Sequence, residues 1–154
     1  MSHPLAFANQ CLYHGRLLLA GWQHVLAADA TSEAAVTAAY APVVRRQLLD
    51  AYGWLLLAVC RIPHIPEAPP HTVRELPPLP TGLVHPAEVE TCAGLEASGW
   101  VGDLQRLSLT PATWRPPVDH LASDTLEPSL ALFETWADEL AGLSEMVASA
   151  IDES

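Results

Sequence analysis

Residues 43–62, Val-Val-Arg-Arg-Gln-Leu-Leu-Asp-Ala-Tyr-Gly-Trp-Leu-Leu-Leu-Ala-Val-Cys-Arg-Ile, form the most apolar long segment of the chain. Val44, Leu48, Ala51, Tyr52, Leu55, Val59 and Ile62 recur at three- and four-residue steps, so they share one face of a 3.6-residue helix. Leu49, Leu56 and Cys60 widen that face. From Trp54 onward the helix is apolar nearly all round, which requires neighbours on several sides. The stretch predicts a buried central helix inside a bundle. Its one chemically reactive group is Cys60.

Working outward, Ser32 and the residues just before it offer N-caps for a helix carrying Val36, Ala39 and Tyr40. Pro42 predicts a kink or short break at 38–42, because an internal proline removes a hydrogen bond and crowds the preceding turn. Pro63 and Pro66 end the central helix. Upstream, Ala8, Cys11, Leu12, Gly15, Leu18, Leu19, Trp22, Val25 and Leu26 predict a first helix over 4–28, with Pro4 tolerated in its first turn and Gly15 permitting close helix approach. Downstream, 63–84 holds seven prolines and predicts a long, stiff connection crossing an end of the bundle. A third helix is expected over 87–97, a short one over 100–107, an irregular segment over 109–120, and a last helix from Asp124 or Thr125 to Ile151. Asp124 and Glu127 have capping-box spacing for that last start. No alternating apolar-polar stretch argues for a strand. The expectation is a single all-α domain over 1–154, an antiparallel bundle of four main helices with a short extra helix and Pro-rich connections.

Eighteen acidic residues stand against seven basic ones, all Arg, for a net charge of −11. Such a field repels polyanions, which makes a basic partner or a small molecule the better expectation than nucleic acid. The longest apolar run, 54–60, falls far short of the roughly 20 residues a membrane helix needs. No basic segment precedes an apolar one at the N-terminus, so a cytoplasmic protein without a signal peptide is expected. Cys11, Cys60 and Cys92 are odd in number and widely spaced, which predicts no disulfide framework.

The seven histidines show no HExxH and no Glu-x-x-His on a helix, and His64, His71, His85 and His120 fall in or beside loops where a solvated imidazole is unremarkable. No metal or cofactor is expected. Arg115 and His120 have the Arg-x4-His spacing of the helical ribonucleases called HEPN domains. Pro116 after the Arg and the acidity of the chain depart from that pattern, so an enzyme using these loop residues, or a His-ligated metal site, is the alternative expectation.

A polar stripe of Asn9, Tyr13 and Arg16 lies largely away from the core face of the first helix. The segment Asn9-Gln10-Cys11-Leu12-Tyr13-His14-Gly15-Arg16-Leu17 resembles the N-terminal helix of a small gammaproteobacterial family, the domain of unknown function 6586. The resemblance extends to Ala51-Tyr52-Gly53-Trp54-Leu55-Leu56 and to Gly99-Trp100-Val101-Gly102-Asp103-Leu104. It implies an all-helical bacterial cytoplasmic protein and brings no assigned activity. The stripe suits either hydrogen bonds between helices or a recognition surface. Trp100 and Trp114 are expected nearest the surface and Trp22 and Trp54 in the core. The leading expectation is a non-enzymatic interaction module, with a homodimer as one arrangement, contacting its partner through Asn9, Tyr13, Arg16, Trp100 and Trp114.

Overall fold

The computed structural model describes residues 3–28, 31–79, 81–109 and 126–153. Its helices are α1 (Pro4–Ala27), α2 (Glu33–Cys60), α3 (Ala87–Ser98), α4 (Trp100–Arg106) and α5 (Leu130–Asp152), with a 3-10 turn at Val73–Glu75. No strand occurs among the described residues, so the expected all-α class holds.

The contacts between the three long helices fix their directions. Phe7 meets Trp54, Gly15 meets Leu48 and Gly21 meets Tyr40, so α1 and α2 are antiparallel. A Cβ on Gly15 would lie 3.3 Å from Leu48 Cδ2, which is the close approach that glycine was expected to allow. Asn9 meets Ser144, Arg16 meets Asp138 and Trp22 meets Phe133, so α1 is antiparallel to α5 as well. It follows that α2 and α5 run in the same direction, and Arg61 at the end of α2 donates to the Ile151 carbonyl at the end of α5.

The core is one connected cluster fed by all five helices of the described residues. As the apolar run predicts, α2 lies at its centre, with every residue from Ala51 through Val59 buried. Trp22 and Trp54 are buried as expected, and so are Trp136 and Leu143 of α5.

Three expectations are corrected. Of the kink or short break expected at 38–42, the break does not occur, because α2 continues through Pro42 from Glu33 to Cys60. Val36 and Ala41 before the proline and Val44 after it are all buried, and Tyr40 stacks on Trp22 at 5.9 Å, so packing on both sides holds the helix together. The last helix starts at Leu130 and not at Asp124 or Thr125. Pro128 disfavours helical geometry at Glu127, and the cap is supplied by Ser129, whose hydroxyl accepts from the Leu132 N–H at 3.2 Å. The Pro-rich connection does not simply cross an end of the bundle. After a left-handed residue at Arg61 (φ 54°) closes α2, the connection turns back along it, setting Pro69 and Pro70 against Gly53 and His71 against Asp50.

The chain then returns to the end of α2, where His85 lies 3.8 Å from the Cys60 sulfur. The α3–α4 pair, broken at Gly99 as expected, carries it down again until Arg45 meets the last carbonyls of α4. Among the described residues no helix is long and apolar enough to cross a membrane.

Candidate functional site

The polar stripe of α1 is divided between two roles. Asn9 Oδ1 accepts from the Ser144 hydroxyl at 2.8 Å, and Arg16 pairs with Asp138 at 3.1 Å, so these two residues tie α1 to α5. Tyr13 sits between them in sequence with 62% of its surface exposed and its ring beside His14. Trp114, Arg115 and His120 lie outside the described residues.

Trp100 is half-buried where α4 begins. It lines an open groove of about 390 Å³ together with Thr91 and Leu95 of α3 and Asp138, Glu139, Gly142, Leu143 and Met146 of α5. The floor is apolar and the α5 rim is acidic. Of the helices that flank the groove, α3 and α5 are one-sided in charge: α3 carries three carboxylates and α5 five, and neither has a cation. Asp138 is also the partner of Arg16, so the tie between α1 and α5 borders the groove.

A second cavity, about 400 Å³, opens between α2, the connection and the end of α4 and is lined by Pro42, Arg45, Arg46, Leu49, His71, Thr72, Gln105 and Leu109. Arg45 donates through Nε to the Leu104 carbonyl at 3.0 Å and through Nη2 to the Gln105 carbonyl, a cation placed on the negative end of α4. Burial holds its guanidinium below the ordinary arginine range. Asp50 Oδ1 accepts from His71 Nε2 at 2.8 Å, and its Oδ2 lies 3.4 Å from Arg46 Nε as an i,i+4 ion pair. Gln105 donates to the His71 carbonyl at 2.7 Å, so the loop histidine is bonded at both its ring and its backbone. His71 was expected to be a solvated imidazole. The pairing with Asp50 corrects that expectation, and the cavity draws Arg45, Arg46 and Leu49 from the stretch whose one reactive group is Cys60. The legible signal was the adjacent pair Arg45-Arg46 in a chain with only seven cations and no lysine.

Between the two cavities, Glu96 Oε2 accepts from both the Tyr52 hydroxyl at 2.5 Å and the Val73 N–H at 2.8 Å. Burial first, and then this bond to Glu96, push the Tyr52 hydroxyl well above its usual range, so it remains a neutral donor. The thiols are quiet for the same reason. Burial raises Cys11 and Cys60 above their ordinary values and pushes Cys92 up to about 11, which keeps all three protonated at neutral pH and poor as nucleophiles. Among the described residues no three His, Cys, Asp or Glu side chains converge to hold a metal ion. Comparison with protein-family models, curated proteins and solved structures found no match to this chain.

Proposed function

We propose that the protein is a non-catalytic interaction module whose binding surface is the groove between α3–α4 and α5 and whose partner presents a basic, partly apolar segment. One observation carries this reading: an aromatic anchor, Trp100, lies over an apolar floor between two helices whose only charges are carboxylates. Tryptophan is the residue type most enriched among interface hot spots, and Met146 supplies an adaptable apolar surface beside it. Charge complementarity with Asp138 and Glu139 selects the sign of the partner and speeds its approach. The scaffold in this reading is a four-helix bundle with α3 as the fourth main helix and α4 as the short extra one. Its kinship with the domain of unknown function 6586 and its cytoplasmic location belong to the same proposal.

Selection of random peptides on the immobilised protein tests it. The expected winners combine Arg or Lys with apolar residues, and Trp100→Ala weakens their binding by about tenfold or more at unchanged helicity. Acidic winners, or winners indifferent to Trp100→Ala, overturn the proposal. A second copy of the chain is the alternative occupant, and it would set acidic walls against an acidic molecule. A dimer by sedimentation that dissociates in Trp100→Ala would favour it.

A further inference from the structure

The cavity beside Arg45 and Arg46 has a chemistry that the interaction groove does not use. A structural role accounts for part of it, since Arg45 closes the end of α4 and Arg46 makes an i,i+4 pair with Asp50. What is left over is directed chemistry. The two bonds of Arg45 use Nε and Nη2, so the N–H groups of Nη1 are not engaged by those carbonyls. Arg46 reaches Asp50 through Nε, at 3.4 Å, with a side chain 73% exposed, and its terminal pair of nitrogens forms the planar fork that matches two oxygens of a carboxylate or phosphate. Among the described residues Asp50 is the carboxylate paired with Arg46, with Oδ1 on His71 Nε2 and Oδ2 at 3.4 Å from Arg46 Nε. Among the described residues two guanidinium groups stand against one carboxylate here, an excess of positive charge in a molecule of net charge −11. Pro42, Leu49 and Leu109 give the cavity an apolar part beside the polar His71, Thr72 and Gln105. Its volume falls within the range of small-molecule sites, which are mostly apolar with a few convergent polar groups. A polyanion is disfavoured by the field of the whole molecule; a small ligand with one anionic group is not.

We propose that this cavity binds a small organic oxyanion, its carboxylate or phosphate held by the fork of Arg46 and by Nη1 of Arg45 and its apolar body laid against Pro42, Leu49 and Leu109. The test titrates the full chain with phenyl phosphate, benzoate, inorganic phosphate and neutral benzyl alcohol at constant ionic strength, following the arginine Nε–H resonances by NMR. Phenyl phosphate and benzoate are expected to move the Arg45 and Arg46 signals and to bind more tightly than inorganic phosphate, which lacks the apolar body. The tighter of the two organic anions identifies the anionic group. Arg46→Gln is expected to weaken binding by about tenfold or more, the effect of a lost charge-assisted bond, and circular dichroism of the free variant should match the parent because an exposed ion pair contributes little to the fold. Three results overturn the proposal: benzyl alcohol binding as tightly as the anions, none of the probes moving those signals at millimolar concentration, or Arg46→Gln binding like the parent.

Discussion

At Gly53 the absence of a side chain is a packing requirement. A Cβ there would lie 1.8 Å from the Pro70 carbonyl oxygen and 2.9 Å from Pro69 Cβ, so any larger residue must push the connection off α2. The backbone it would displace is fixed further along, by His71 on Asp50 and Gln105 on the His71 carbonyl. Gly53→Ala is therefore expected to cost about 1–3 kcal/mol by overpacking. Gly94, inside α3 with open space where its Cβ would be, is the matched control, and Gly94→Ala should add about 0.5–1 kcal/mol from helix propensity alone. Urea unfolding of the two variants decides it, and equal midpoints would show that the connection does not bear on α2 there. Neither the difference between these glycines nor the enclosure of Arg45 and Arg46 in a cavity was legible in the sequence, which marks the pair only by its rarity in a chain with seven cations. Both depend on which loop backbone comes to rest on α2, and a contact between residues 53 and 70 leaves no periodicity to read. The Asn9 and Arg16 ties to α5 were legible, because a polar stripe beside a core face must find partners.

At the scale of elements, 3.6-residue periodicity located α1, α3 and α4 to within a few residues, since each buries a face that repeats along the chain. It failed where a local signal competed with packing. Pro42 carries the cost of a missing N–H and a clash with the carbonyl four residues back, on the order of 3 kcal/mol in a helix interior. Of the buried residues on either side, Val36 and Val44 each contribute about 1.5–3 kcal/mol by leaving water and Ala41 about 0.8 kcal/mol, and together they outweigh it. If the proline is tolerated against its own cost, then Pro42→Ala should stabilise the protein by about 1–2 kcal/mol. That is the restored hydrogen bond less the stiffness proline gives the unfolded chain. At this chain length the melting temperature should rise by about 2–8 °C. A fall instead would mean that the helix around Pro42 accommodates it without strain. The start of α5 shows the same limit in another form. Asp124 and Glu127 had the right spacing for a cap, but Pro128 stands one residue before Ser129, and the residue before a proline avoids helical geometry.

For the whole molecule, parallel placement of α2 and α5 explains the length of what lies between them, because a chain must travel back along α2 before it can start in the same direction again. The Pro-rich connection and the α3–α4 pair make that return in steps, and they leave a cavity on each side of their path. This arrangement folds under a charge imbalance of eighteen carboxylates to seven arginines. The ion pairs seen, Arg16 with Asp138, Arg46 with Asp50 and Arg106 with Asp103, each include at least one well-exposed partner, so each contributes about 0–1 kcal/mol. Repulsion among the remaining carboxylates acts over longer distances and in one direction, against compactness. Raising NaCl from about 10 mM to about 150 mM shortens the screening length from about 30 Å to about 8 Å. That removes repulsion across the molecule while touching the close pairs less. The melting temperature should therefore climb by about 2–4 °C, corresponding to about 1 kcal/mol. The same change should weaken capture of a basic segment by the groove, since that attraction is screened by the same ions. Stability and binding moving in opposite directions with salt is a signature that neither an apolar docking surface nor an ion-pair-stabilised fold would produce. A melting temperature that falls with NaCl would mean that the arginine pairs, and not the excess carboxylates, dominate the electrostatics of the folded state.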